Sequence, residues 1–333
     1  MPTTEPTLPT LHDFLAEPLR VGEPDVCGAL AVFPIFGPPP VAEYVAFADG
    51  VARGVVVKEL DGGASVNDLL VLNATDANVL LYEGEEVLGA QQNRTFDVSV
   101  LAPAGMSLRV PVSCVEHGRW DGGRHHESFV PAPQAAYPSL RRMKNVAAHA
   151  RVAAGLDARA EQGAVWDEVA AKSARMDVES STGAMHDIYE GRRGGLDAFE
   201  DAISLRDGQT GALVAIAGRM TVLDHVSRPA AFATLHGPLV QGYALDALEA
   251  ASDGATPPPS PDAAHAFVAR LAATRVSRHD GIGLGLDVRF SSPGLTGAGL
   301  VSGDELVQLT AFAGPDDDLS SPRARIRRPS RRR

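Results

Sequence analysis

From Glu83 to Glu127 the chain reads EGEEVLGAQQNRTFDVSVLAPAGMSLRVPVSCVEHGRWDGGRHHE, and the side chains able to do chemistry are concentrated there. In a strand over 107–116 the side chains alternate, so Leu108, Val110, Val112, Cys114 and Glu116 share one face. Four of these are apolar or behave so, and Glu116 ends a core-facing row. Loss of water there would raise its pKa and suit it to general acid or base work. The alternative places Glu116 at a strand end, reaching solvent and pairing with Arg119. On sequence alone both readings stand.

Gln91, Gln92, Asn93 and Arg94 form a polar run before the next strand, where a turn would project amide and guanidinium groups toward a ligand. Turn chemistry alone explains the asparagine equally well. Glu83, Glu85 and Glu86 flank Gly84 and read first as a solvated acidic turn. Cys114 is a nucleophile candidate beside His117, but in a continuing strand the two point to opposite faces. A buried structural thiol is the simpler reading. His117, His125, His126, Glu116 and Glu127 have metal-ligand residue types at a spacing that matches no standard metal motif. Gly281, Gly283 and Gly285 give GxGxG ahead of a strand, the wrong context for a dinucleotide loop. With no P-loop and no GxSxG elbow either, no cofactor is expected.

The elements that must position these groups form a mixed α+β pattern. Residues 1–20 read as a loose, Pro-dotted arm. Residues 21–130 carry short apolar runs about ten residues apart, a β-rich sheet region of sandwich or barrel type. Among them are EYVAF (43–47), FDVSVLA (96–102) and SLRVPVSCVE (107–116). Residues 134–205 are helical: Val165, Val169, Ala170, Ser173 and Met176 mark one helix face, and the glycines of 180–196 predict a loop. Residues 206–315 are mixed, with a hairpin about Gly218-Arg219, a helix opening at Pro238, a helix capped by Ser260 and Pro261, and closing strands to 312. Helices do not alternate with single strands, which argues against a doubly wound parallel sheet. Residues 21–315 are therefore expected to form one globular unit, and 316–333 a disordered tail.

The 333 residues are 44% apolar and 22% charged, ordinary for a globular protein. Seven arginines crowd into 321–333; removing them from the net charge of −12 leaves −19 on the rest. Such a body repels phosphodiester backbones, so no nucleic acid is expected beyond weak contact through the arginine tail. Two cysteines exclude a disulfide framework, and the N-terminus lacks the features of a signal peptide. No stretch is long and apolar enough to span a membrane, so no membrane partner is expected and the expected compartment is cytoplasmic.

At GEEVLGAQQNR, SVLAPAG and VPVSCVEHGRW the chain resembles the ARG-and-rhodanese-phosphatase-superfamily-associated protein domain, an uncharacterised prokaryotic family. The resemblance extends from about Gly28 to Phe312, through VAIAGRMTVLDHV and QGYALDALEA to LVQLTAF. Gene neighbourhood links that family with ADP-ribosylglycohydrolases and phosphatases, which implies a role in NAD or ADP-ribose metabolism and partner enzymes of those kinds. Its polar signature falls on Glu85, Gln92, Asn93, Arg94, Cys114, Glu116, Arg119 and Trp120. The family pattern ends in a histidine where this chain has Gln308, and often has a neutral residue at His117. The resemblance implies a nucleotide-like ligand, with Arg94 and Arg119 on a pyrophosphate and Trp120 against a base. Glu116 would act as acid or base with Glu85 as its partner, suiting a step at a ribose anomeric carbon. A non-catalytic sensor or interaction module is the alternative, and a metal-dependent hydrolase the third.

Overall fold

The computed structural model describes residues 8–120, 128–251 and 257–314. After a 3₁₀ turn at Leu11–Phe14 come strands β1 (Arg20–Val21), β2 (Asp25–Cys27), β3 (Leu30–Phe36) and β4 (Val45–Ala46), helix α1 (Phe47–Ala52) and strand β5 (Val56–Lys58). Strands β6 (Asp68–Asn73), β7 (Val79–Leu81), β8 (Glu85–Leu88), β9 (Arg94–Phe96), β10 (Val100–Ala102), β11 (Met106–Cys114) and β12 (Val130–Ala135) complete the β-rich N-terminal region. Helices α2 (Pro138–Ala153), α3 (Gln162–Arg175) and α4 (Met185–Ala202) follow. The last part holds β13 (Gly211–Ile216), β14 (Arg219–Val226), α5 (Pro229–Ala250), α6 (Pro261–Ala272), β15 (Ser277–Asp280), β16 (Leu286–Ser292), β17 (Leu295–Ser302) and β18 (Glu305–Ala313).

The fold is α+β, built on three sheets. The largest is antiparallel, ordered β1-β3-β13-β14-β18-β17-β16-β15 with β2 beside β3, so strands from both ends of the chain share it. The β13–β14 hairpin turns at Ala217 and Gly218, both at positive φ, the geometry that matches strand twist. Alternation gives this sheet two buried faces. Leu30, Val32, Ala212 and Val214 pack toward the helical layer containing Tyr243 of α5 and Ile188 of α4. Ala31, Phe33, Leu213 and Ala215 pack toward Phe267 and Leu271 of α6. The two smaller sheets, β12-β8-β9-β11-β6-β5 and β10-β7-β4, enclose a third core around Phe47, Val71, Phe96 and Val112.

Several elements differ from the sequence expectations. The described part of the expected loose arm is pinned: Leu11 and Phe14 are buried, and Leu11 N–H donates to Thr274 O at 3.0 Å. The expected strand at 43–47 is only β4, because Phe47 buries as the first residue of α1. The run 96–102 divides between two sheets at Asp97, whose N–H donates to Pro111 O. The glycines of 180–196 do not make a loop. Met185, Ile188, Tyr189, Leu196 and Phe199 form one buried face of α4, and Gly191 lets the helix close on Val178, where a Cβ would sit at 2.9 Å. Pro238 stands inside α5 instead of opening it, because every residue from Leu239 to Leu245 is buried and packing outweighs the lost hydrogen bond.

The GxGxG run is a close backbone approach. Leu284 bridges to Leu101, and a Cβ on Gly283 would meet Leu101 O at 2.2 Å. Gly285 has φ +85°.

Candidate functional site

Four signature residues, Gln92, Asn93, Glu116 and Arg119, form a clamp on one irregular loop. Gly89 and Ala90, at φ 149° and 41°, turn the chain out of β8. Arg119 holds that turn, donating to Ala90 O at 2.5 Å, Gly89 O at 3.3 Å and Asn93 Oδ1 at 3.3 Å. It also forms an ion pair with Glu116 Oε2 at 2.7 Å. The Asn93 N–H donates to the same carboxylate at 3.0 Å, and Thr182 Oγ1 donates to Oε1 at 2.9 Å. Gln92 Nε2 closes the clamp on Glu116 O at 2.7 Å.

Glu116 is thus buried and paired with Arg119, a combination of the two sequence readings. Its pKa is not raised. Burial pushes it up, but the hydrogen bonds from Arg119, Asn93 and Thr182 overcome this and hold the carboxyl below its ordinary value. A carboxylate so engaged is an anchor for a loop and a poor proton donor.

The other candidates are distributed around this clamp. Arg94 is fully buried, donating to Gln92 O at 2.9 Å, with Glu59 at 3.8 Å and the half-exposed Trp120 ring at 6.0 Å. Burial lowers its pKa. Cys114 is buried and its thiol pushed up by burial, the structural reading of that residue; its backbone is held by Gln162. Glu85 accepts the Tyr82 N–H at 2.8 Å, and burial pushes its pKa up to about 8 against that bond. The carboxyl that feels Glu116 is its neighbour Glu86, on the other face of β8. Glu86 takes a 2.6 Å hydrogen bond from Gln134 and is raised to about 8, chiefly by burial and then by the charges of Glu116 and Asp187. His117 packs edge-on against Trp166 at 4.5 Å. His125, His126 and Glu127 lie outside the described residues. Among the described residues no group of three or more His, Cys, Asp or Glu is placed to hold a metal ion.

A second polar assembly, which the sequence reading passed over, lies where α2 meets all three sheets. Leu140, Arg141, Lys144, Asn145 and Ala148 make one buried stripe of α2. Arg141 donates to Glu83 Oε1 at 2.5 Å and to Asp224 Oδ1 at 2.6 Å, and Tyr82 and Tyr243 hydroxyls complete the Asp224 shell at 2.7 and 2.5 Å. Gly84 permits this, since a Cβ there would sit 2.7 Å from Arg141 Cδ. Lys144 donates to Thr95 Oγ1, Phe96 O and Asp97 at 2.6, 2.9 and 3.0 Å. Two signals were available in the sequence. Charges on an apolar helix stripe at i and i+3 are one, and an acid at Asp224 in register with Val222 and Val226 is the other.

A cleft of about 550 Å³ is bounded by β6 and β11, the α2–α3 loop and the β15 end of the main sheet. Arg109, Arg159, Asp68, Asp157, His279 and Asp287 are among its lining. Asp68 pairs with Arg109 at 2.6 Å and lies 3.6 Å from Arg159. At Val98, Ser99, Asp287 and Leu300 the cleft narrows into a chamber of about 10 Å³, lined also by Glu83, Asp97, Asn145, Arg289 and Gln308. That is room for about one water molecule. Asp287 accepts two bonds from Arg289, at 3.0 and 2.8 Å, yet burial still raises its pKa. Gln308, where the family pattern has histidine, therefore faces this chamber and not the Glu116 clamp.

No helix among the described residues is long and apolar enough to cross a membrane. No curated protein and no solved structure matched the chain. One family model does, over residues 18–312, which takes in the clamp, the Arg141 assembly and every strand of the cleft. With nearly its whole length matched, the chain belongs to the ARG and Rhodanese-Phosphatase-superfamily-associated Protein domain family.

Proposed function

We propose that the protein binds a small ribosyl-bearing ligand of the ADP-ribose or NAD-derived class in the cleft between β11, the α2–α3 loop and β15. The observation that carries this reading is the cleft itself. It is concave, of ligand size, and ends on buried carboxylates, amides and a guanidinium, the groups that recognise sugar hydroxyls. Arg109 and Arg159 in its lining are the groups for a phosphate. Carboxylates outnumber these cations, which weights recognition toward the hydroxyl-bearing part of the ligand. Asp287, whose carboxyl burial pushes above its ordinary pKa against the pull of Arg289, is the candidate acid for hydrolysis or transfer at the anomeric carbon. The Glu116 clamp shapes the region beside the cleft and touches no ligand.

Calorimetry with ADP-ribose and NAD tests this. Wild-type protein is expected to bind, Arg109→Ala to weaken binding, and Asp287→Asn to bind while forming no product. Failure of every nucleotide to bind would leave the second reading, a non-catalytic sensor or interaction module. The observation favouring that reading is that Gln92, Asn93, Glu116 and Arg119 bond chiefly to one another. Pull-down with ADP-ribosylglycohydrolase-type enzymes would then be the measurement to make. The third reading, a metal-dependent hydrolase through Glu116 and the histidines His117, His125 and His126, is tested by metal analysis of the purified protein.

A further inference from the structure

We infer that the narrow chamber behind the cleft is a hydroxyl-reading subsite: a ligand enters with one sugar or polyol hydroxyl first, and that hydroxyl bridges Arg289 and Asp287. This rests on the reading of the cleft as a ligand site and names the part of the ligand that reaches deepest.

Arg289 is 2% exposed, lines the chamber, and uses Nε and Nη2 on Asp287 Oδ2. Among the described residues its Nη1 has no hydrogen-bond partner. A buried guanidinium N–H without an acceptor is costly, so one that lines a cavity is a donor awaiting a ligand oxygen. The carboxylates around it are already committed on one side. Glu83 uses Oε1 on Arg141, Asp97 is held by Lys144 and Ser113, and Asp287 uses Oδ2 on Arg289. The second oxygens of Glu83 and Asp287 are the acceptors facing a newcomer, while Asp97 Oδ2 already accepts the Ala160 N–H at 3.0 Å. Asn145 and Gln308 add amides that both donate and accept.

Charge and size select the occupant. A phosphate or carboxylate would face Glu83, Asp97 and Asp287 with one uncommitted cationic N–H in return. An ammonium group would face the Arg289 guanidinium. A neutral group that donates and accepts at once satisfies both sides, and a hydroxyl does so within the volume of about one water. The sugar ring stays in the wider cleft, which the chamber joins at Ser99 and Asp287.

The test uses the full chain and three probes: D-ribose, D-ribose 5-phosphate and inorganic phosphate, each titrated calorimetrically. Both sugars are expected to bind and inorganic phosphate to compete poorly with either. Arg289→Lys keeps the charge and removes the unpartnered Nη1, so both sugars should weaken about tenfold, the size of one hydrogen bond to a charged group. Should Arg289→Lys fail to fold, Asn145→Ala is expected to produce the same selective loss. Wild-type sugar affinity in a folded Arg289→Lys, or phosphate binding as tightly as ribose 5-phosphate, would overturn the subsite. If neither sugar binds while ADP-ribose does, the subsite fails and the cleft reading stands; if ADP-ribose also fails, both fall.

Discussion

Arg141 and Asp224 form a fully buried two-point ion pair, with Nη1 2.9 Å from Oδ2 and Nη2 2.6 Å from Oδ1. The pair joins α2 to β14, and the same guanidinium reaches Glu83 beside Gly84. Two carboxylates on one arginine leave a negative surplus, which the hydroxyls of Tyr82, Tyr243 and Thr310 offset at Asp224. Burial opposes ionisation of Asp224, and Arg141 with those hydroxyls still holds its pKa below the ordinary value. Glu83, with fewer donors, is left raised by burial. The helix is thereby fixed over the chamber whose lining includes Glu83 and Asn145.

Arg141→Met should therefore be among the most damaging substitutions in the chain. It keeps most of the volume but leaves Asp224 and Glu83 buried without their cation, a loss of about 3–5 kcal/mol for broken buried pairs. Urea unfolding measures it. A loss under about 1 kcal/mol would show that the pair is replaceable by apolar packing.

Rising pH should also destabilise the fold, through Glu85 and Glu86. Burial raises both to about 8 from 4.5, so the folded chain keeps two protons that the unfolded chain releases. The stability tied to them is complete below about 4.5 and is lost as pH rises through about 8, on the order of a few kcal/mol per carboxyl. Glu85→Gln keeps an acceptor for the Tyr82 N–H and removes one titration. The variant should gain on wild type steadily as denaturation is followed upward through that range, and parallel pH curves would refute the assignment.

The acid side carries the opposite sign at His225. Burial lowers its pKa to about 4 from 6.5, so the fold holds a neutral imidazole while the unfolded chain takes up a proton. That stability is present above 6.5 and is lost as pH falls from 6.5 through about 4. An NMR titration should find the His225 ring neutral at about pH 5; a charged ring there would overturn the prediction.

How much of this was legible in the sequence follows from the range over which each feature is specified. The β13–β14 hairpin and the helix capped by Ser260 are local, set by turn chemistry and apolar period, and both form. The clamp was visible as a set of residue types, and the pairing of Glu116 with Arg119 as one of two readings. Its donors Asn93 and Thr182 were not, because Thr182 lies 66 residues beyond Glu116 and joins it only when α4 docks. The sign of the Glu116 shift depended on those donors. The cleft was less legible still. Asp287, Arg289, Asn145 and Glu83 come from β16, α2 and the β7–β8 turn, and only sheet register brings them together. The glycines of α4 misled because Gly191 and Gly195 admit Val178 of the α3–α4 connection and Leu248 of α5, contacts set by tertiary packing.

Gly285→Ala should cost at least about 2 kcal/mol, from the strain of a non-glycine residue at positive φ together with a collision. The residue sits at φ +85°, and its Cβ would stand 2.2 Å from Val301 O, a backbone atom that cannot swing away. The loop it ends contributes Gly281 and Ile282 to the cleft, so ligand affinity should fall with stability. Gly63→Ala is the control, with φ +118° but nothing within 4 Å. It should lose stability through backbone strain alone and keep its affinity.

Glu116→Gln separates the clamp from an acid at a reacting centre. The substitution keeps one oxygen to accept from Asn93 or Thr182 but removes the charge opposite Arg119, 2.7 Å away and buried. Leaving that guanidinium without its counter-ion is expected to lower stability by about 2–4 kcal/mol. The loop at Gly89 and Ala90, which Arg119 holds, should open first, seen as faster amide exchange there than in β14. On the proposed cleft site, ADP-ribose affinity should change less than about twofold, below 0.5 kcal/mol. The contrary pattern is unchanged stability with affinity retained and product formation abolished. That would return Glu116 to the role of acid or base and make the clamp the reacting centre.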